Sequence, residues 1–247
     1  MDIAELALIL VVAAFSFWVK GITGFGGPLL AIPALAPFIG VEQSVVVISF
    51  SNAVSNLMLL WSTRDAGKRL KPLLVRLLVA GSIATVVGTI LLTSLNDTFL
   101  SLVLAGSVIL YIAMSLARPE FTLTQDKGRY LAVPAGVVGG LMHGAVGNSG
   151  VVFGSFYHSL KLARDEFVFA LSITFLGFGL FQIVTLVQLG SFNNELLIQA
   201  VITLVPVVIA TRLGEVFGRR LDAAIFGRLV LGLLTLAAMV LVIGVLV

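Results

Sequence analysis

Long apolar stretches, separated by short polar or glycine-rich segments, fill almost the whole chain. We distinguish ten such elements, at 4–19, 25–39, 44–62, 72–94, 98–117, 130–142, 148–160, 166–188, 195–217 and 224–246. Several of them approach the ~20 apolar residues that a helix needs to cross a bilayer. The pattern predicts an all-α polytopic membrane protein with eight to ten membrane elements.

Two glycine-rich segments, 20–28 and 143–150, break this pattern. Glycine and proline at such density end a helix and allow another to begin. In lipid, the freed backbone groups need partners in protein or in a watery cavity. The short elements beside each break are therefore either two thin spans, a re-entrant hairpin, or one interrupted span in an eight-span arrangement, and the sequence leaves these alternatives open.

Composition supports the membrane assignment and narrows the chemistry. Hydrophobic residues make up 59% of the chain and charged residues 11%, whereas soluble domains are about 25% charged. The net charge of +3 comes from basic residues clustered in loops, so we expect no nucleic-acid partner. With no cysteine and two histidines, neither a metal site nor a bound cofactor is expected.

The loop charges predict a topology. Lysine and arginine occur in the segments 63–72, 118–129, 161–166 and 218–223, and are absent from 40–43, 95–97 and 189–194. Basic loops face the cytoplasm. Ten elements place every loop on a consistent side with both termini outside, whereas eight strictly alternating spans would place two basic loops outside.

The two halves of the chain correspond to each other. A shift of 123 positions superposes Gly21, Gly24 and Gly27 on Gly144, Gly147 and Gly150. The loop charges at matched positions are opposite, which indicates an inverted repeat. We therefore predict a membrane repeat at 1–117, a cytoplasmic linker at 118–129 and a second membrane repeat at 130–247.

The first break carries a resemblance to a known family. The run from Gly21 to Leu30, Pro33 and the polar triplet 51–53, together with the repeat, resembles the TauE/SafE or sulfite exporter family. The resemblance covers the layout of essentially the whole chain. It implies a multi-pass protein of a bacterial inner membrane that exports sulfite or small organosulfonates.

The breaks and the charges beside them are the candidate anion site. The second and seventh elements begin there, and helix N-termini offer unpaired N–H donors. Lys20 and His143 occupy matched positions, and the third element carries a polar face. The predicted substrate-binding residues are Lys20, Gly21, Thr23, Gly24, Gly26, Gly27, Asn52, Asn56, His143, Gly144, Gly147, Asn148, Ser149 and Gly150. We expect the two helix N-termini to converge near the middle of the membrane.

Structural explanations compete with each of these assignments. The glycines also suit close helix packing, and the polar face suits interhelical hydrogen bonds. Lys20 also suits a side chain that reaches the membrane surface. Arg212 and Glu215, spaced i, i+3, are a candidate proton-coupling pair or an ordinary ion pair.

The sequence favours a non-enzymatic secondary transporter of a small anion. A passive anion channel with the same broken helices is the first alternative. An intramembrane hydrolase is the second, although no residue at a recognisable spacing orients His143 toward Ser149. The lipid bilayer and the anion are the expected partners, and the oligomeric state, including a homodimer, stays open.

Overall fold

The computed structural model describes residues 3–117 and 122–218, and this part of the chain is helical without a strand. Its helices are α1 (Ile3–Thr23), α2 (Gly27–Ile39), α3 (Val41–Ser62), α4 (Lys71–Ser94), α5 (Asp97–Ala117), α6 (Gln125–Val146), α7 (Gly150–Ser159), α8 (Arg164–Gln188) and α9 (Asn194–Gly218). A short 3₁₀ turn, Lys68–Leu70, precedes α4. The all-α prediction is confirmed. The predicted tenth element, 224–246, lies outside the described residues.

Among the described helices, five are long and apolar enough to cross a membrane. These are α1, α3, α4, α8 and α9. Their outward faces carry many exposed large hydrophobic side chains, such as Val79 and Ile83 of α4, which suits contact with lipid. The fold is that of a polytopic membrane protein.

Two predicted boundaries were wrong. The first and sixth elements were expected to stop at residues 19 and 142, but α1 and α6 continue one turn further, to Thr23 and Val146. The non-helical breaks are therefore only three residues long, 24–26 and 147–149. A third boundary also differs, because α6 begins at Gln125 and the sixth element was expected to begin at 130. The division into two repeats and a linker stays a prediction.

Each break turns the chain back on itself. Gly27, at the start of α2, lies against Phe17 of α1, and Phe153 of α7 lies against Gly139 of α6. The returning helices have 13 and 10 residues, so they span about 20 and 15 Å, against a hydrocarbon core of about 30 Å. In each pair the returning helix, α2 or α7, is thus shorter than a full span, and whether the pairs span the membrane or re-enter it stays a prediction.

The two halves share a register and exchange packing partners. The starts of α2, α3 and α4 recur in α7, α8 and α9 after a shift of 123 positions. α1 packs along α9, and its counterpart α6 packs along α4, while α3 and α8 lie against each other between them. This exchange is the packing pattern of a twofold relation between the halves.

The relation inverts the direction of the chain. Near the start of α3, Glu42 accepts a hydrogen bond from Ser191 beyond the end of α8. At the opposite end, Gly67 beyond α3 lies against Phe169 near the start of α8. The equivalent helices α3 and α8 are thus antiparallel, as an inverted repeat requires.

Glycines hold the outer helix pairs at short distance. A Cβ on Gly144 of α6 would collide with the carbonyl oxygen of Thr85 in α4. The equivalent contact in the other half joins Gly21 of α1 to the carbonyl oxygen of Thr211 in α9. Small residues of this kind allow membrane helices to approach backbone to backbone. Gly21 and Gly144, predicted as ligand-binding residues, therefore have a packing role in this structure.

An ion pair closes the end of the molecule at which the basic loops lie. Arg69, in the 3₁₀ turn before α4, donates from Nε and Nη2 to the two carboxylate oxygens of Glu166, each at 2.5 Å. Glu166 also accepts from the backbone N–H of Ala163. These contacts attach the segment between α3 and α4 to the first turn of α8.

Candidate functional site

Lys20 is a fully buried lysine in the last turn of α1. Its Nζ donates to Oδ1 of Asn52 at 2.7 Å and to Oγ of Ser55 at 2.9 Å, both on α3. The ring of Phe17 lies 5.3 Å from Nζ. The side chain therefore points into the protein, and the alternative in which it reaches the membrane surface does not hold here.

No carboxylate accompanies this lysine within the described residues, since none lies within ion-pair distance of Nζ. Its acceptors are neutral, and Oδ1 of Asn52 also accepts from Nδ2 of Asn56 at 3.0 Å. Oδ1 of Asn56 is buried without a hydrogen-bond partner. A buried cation held only by neutral groups is costly, and the described residues supply no countercharge for it.

His143 occupies the equivalent place in the second half. It is 1% exposed, and its Nδ1 lies 3.2 Å from Oγ of Ser149. The ring stacks on Phe175 at 5.9 Å between centroids and meets Phe178 edge-on at 5.8 Å. Nε2 is buried and has no hydrogen-bond partner.

The partners of the two residues correspond through the same shift. Moving Asn52 and Ser55 by 123 positions gives Phe175 and Phe178. Lys20 therefore faces a polar surface of α3, and His143 faces an aromatic surface of α8 at matched positions. The interior thus has one polar and one aromatic side.

The backbone at the breaks needs glycine. Gly24, Gly26 and Gly147 have φ of 83°, 112° and 65°, in the left-handed region that side chains avoid. The N–H of Gly24 donates to the carbonyl of Lys20, and the N–H of Gly147 donates to that of His143, which closes each preceding helix.

The helices that follow the breaks begin without side-chain caps. Gly26, before α2, has no side chain that could cap the helix. Ser149, before α7, has one but makes no capping hydrogen bond with it. At the first break, the hydroxyl of Thr23 lies within hydrogen-bond distance of the carbonyls of Val19 and Phe25, which share its one hydrogen. At the second break, Oδ1 of Asn148 accepts from the N–H of Gly150. First-turn N–H groups have no intrahelical acceptor, and at α7 the side chain of Asn148 satisfies that of Gly150.

The two helix starts lie side by side and do not meet tip to tip. Phe25, in the first break, contacts Gly150 and Gly154 of α7, while Ile32, in the second turn of α2, lies against Gly147. The breaks lie at different levels along α3 and α8, since Gly24 lies against Val168 near the start of α8 and Gly147 against Val45 near the start of α3. Convergence of the two helix N-termini near the middle of the membrane stays a prediction.

The remaining predicted residues divide into two groups. Asn148 and Ser149 are buried beside His143, and Nδ2 of Asn148 has no hydrogen-bond partner. Arg212 pairs with Glu215 at 2.7 Å, with side chains 65% and 8% exposed. The backbone nitrogen of Glu215 lies against Gly21, the residue that follows Lys20 in the sequence. Its proton-coupling role stays a prediction.

Three further residues belong to the site although they were not among the predicted ligands. Ser55 holds Lys20, Phe175 stacks on His143, and Nε2 of Gln182 donates to the carbonyls of His143 and Gly144. Ser55 shares the polar face of α3 with Asn52 at i, i+3, which is a local signal. The 123-position shift places Phe175 and Gln182 on the face of α8 that matches the polar face of α3, but only the packing of α8 on α6 brings them to the histidine.

Inverted halves that each contain a broken helical hairpin are an architecture of membrane transporters, and the chain is a transmembrane transporter of this kind. It belongs to the sulfite exporter TauE/SafE family, whose family model matches residues 8–241. No curated protein and no solved structure matches the chain.

Proposed function

We propose that this protein is a secondary transporter that exports a small anion, sulfite or an organosulfonate, across a bacterial inner membrane. The observation that carries the proposal is the fully buried Lys20, which has neutral acceptors and no carboxylate partner in the described part of the chain. Membership of the sulfite exporter TauE/SafE family supports a sulfur-containing substrate and the export direction.

The groups around Lys20 supply mainly hydrogen-bond donors. An ammonium group has three N–H bonds, and Asn52 and Ser55 accept two of them, which leaves one for a ligand. If Ser149 donates to Nδ1 of His143, then Nε2 carries the hydrogen and is a second unused donor. Nδ2 of Asn148 is a third. Such a set suits sulfite or sulfonate oxygens, which only accept.

Replacing the lysine tests the proposal. Lys20→Met keeps the length of the side chain and removes the charge, whose burial in a membrane helix costs about 2.5–3.5 kcal/mol on insertion scales. We expect the variant to fold as well as the wild type or better. Sulfite flux into proteoliposomes should fall, and the Kd of the anion should rise more than about tenfold, which corresponds to about 1.4 kcal/mol.

Lys127→Met is the matched control, since Lys127 is exposed in the first turn of α6. Normal anion binding and flux in a folded Lys20→Met protein would refute the proposal. A passive channel differs in a second measurement: its anion flux would not depend on a proton gradient, whereas flux through a proton-coupled transporter would.

A further inference from the structure

A groove lies at the end of the molecule that carries the basic loops, between the starts of α4 and α6. It is lined by Arg69, Leu70, Leu73, Arg129, Leu160 and Leu162. Gly128 of α6 allows close packing here, since a Cβ at this position would meet the side chains of Leu160 and Leu73. Tyr130, beside Arg129, is 79% exposed, as aromatic residues at a membrane–water interface are.

The arginines at the groove keep unused donors. Arg129 lies 3.6 Å from Asp126, whose side chain is 85% exposed, so this pairing is weak. Arg69 uses two of its five N–H groups on Glu166. Arg76 follows Leu73 by three positions, on an adjacent part of the α4 surface, and is exposed without an ion pair to any described residue.

The floor of the groove is apolar. Leu70, Leu73 and Leu160 are 3%, 5% and 9% exposed and belong to the core cluster around α4, α7 and α8. Val75 and Val79, which flank Arg76 on α4, are 50% and 62% exposed, and a soluble anion would use the arginines and leave this apolar surface unused. A ligand with a phosphate and a hydrocarbon chain would satisfy both, because the phosphate accepts from guanidinium groups and the chain covers apolar surface.

We propose that this groove binds a phospholipid with an anionic headgroup from the cytoplasmic leaflet. Arg129 and Arg76 bind the headgroup phosphate, with a contribution from Arg69, and the exposed Val75 and Val79 contact the upper part of an acyl chain. The site is distinct from the buried region around Lys20, and the proposal does not depend on the identity of the transported anion. It requires that the basic loops face the cytoplasm, where anionic lipids attract them.

The test uses the full-length protein in detergent, titrated with phosphatidylglycerol or phosphatidylcholine of the same acyl chains and followed by native mass spectrometry. The wild type should bind phosphatidylglycerol at lower concentration than phosphatidylcholine. Arg76→Gln and Arg129→Gln should each weaken phosphatidylglycerol binding about fivefold, and the double variant about 25-fold. Phosphatidylcholine binding should change little.

Arg64→Gln is the matched control, because Arg64 is an exposed arginine of the same loop region that stacks on Trp61 at 4.9 Å and does not line the groove. The same loss in Arg64→Gln would show general surface charge and overturn the proposal. Equal binding of the two lipids by the wild type would overturn it without any variant. Inorganic phosphate that raises the melting temperature as much as phosphatidylglycerol would identify a free-anion site and also overturn it.

Discussion

Asn52 is the residue on which the environment of the buried lysine depends. Its Oδ1 accepts from both Lys20 and Asn56, at 2.7 and 3.0 Å. Because this oxygen is neutral, it orients the ammonium group without cancelling its charge. An acidic residue at this position would do both. Under the proposed function, asparagine therefore leaves the charge of Lys20 for the transported anion.

We therefore predict that Asn52→Asp folds but loses the anion. The change is nearly isosteric and creates an ion pair with Lys20, which satisfies the lysine in the absence of ligand. The Kd of sulfite should rise at least about tenfold, or about 1.4 kcal/mol, and the melting temperature in detergent should be unchanged or higher. Calorimetric titration and thermal unfolding measure the two effects.

Ser172→Ala is the control at the buried position equivalent to Ser49. Its Oγ is buried without a hydrogen-bond partner, so its removal should leave stability unchanged or raise it by up to about 1–3 kcal/mol. Anion binding by Asn52→Asp at the wild-type Kd would show that the charge of Lys20 is not used in binding.

At the scale of the elements, the interface between α4 and α6 depends on glycine. Gly144 lies where the α6 backbone meets the carbonyl of Thr85 in α4, too close for any Cβ. The equivalent interface of α1 with α9 has Gly21 against Thr211. Since Lys20 and His143 directly precede these glycines, the helix contacts also set the position of the two side chains that face the interior.

Gly144→Ala should consequently destabilise the protein. The helices must separate to admit the methyl group, at a cost of about 1–3 kcal/mol, which exceeds the gain in helix propensity of about 1 kcal/mol. Thermal unfolding should show a lower melting temperature. Gly106→Ala in α5 is the control, because nothing lies within 4 Å of its added Cβ, and it should be neutral or stabilising.

The same variant distinguishes the two roles of the glycine. A protein that melts like the wild type but no longer binds sulfite would mean that Gly144 acts at the ligand and that its packing role is minor. Loss of stability with binding retained at low temperature would mean the reverse.

At the scale of the whole molecule, the antiparallel arrangement of α3 and α8 predicts which loops share a side of the membrane. The segment after α3, which contains the basic residues, lies beside the start of α8, and the end of α8 lies beside the start of α3. By the distribution of loop charge, the first of these ends faces the cytoplasm.

Single cysteines can test this topology directly, because the chain has none of its own. Asp65→Cys in the basic loop should be protected from a membrane-impermeant thiol reagent in intact cells and labelled after permeabilisation. Gln188→Cys at the end of α8 should be labelled in intact cells. Both positions are exposed on the protein surface. Labelling of both from the same side would contradict the inverted arrangement.

The sequence by itself determined the helices, the two breaks and the correspondence of the halves. These features follow from local properties: apolar run length specifies a membrane helix, glycine and proline specify where it ends, and a 123-position shift is visible without coordinates. The boundaries at Thr23 and Val146 were missed because glycine is tolerated inside a packed helix, and Gly21 and Gly144 are helical for that reason.

Only the tertiary structure decided which side chains these elements bring into contact. Lys20 is buried because Asn52 and Ser55, more than 30 positions away, accept from it, and a lysine of the same sequence context without them would reach the surface. His143 lies among phenylalanines because α8 packs on α6. The hairpin turns at the breaks depend likewise on contacts such as Gly139 with Phe153. Such contacts join distant positions, so no local pattern of residues encodes them.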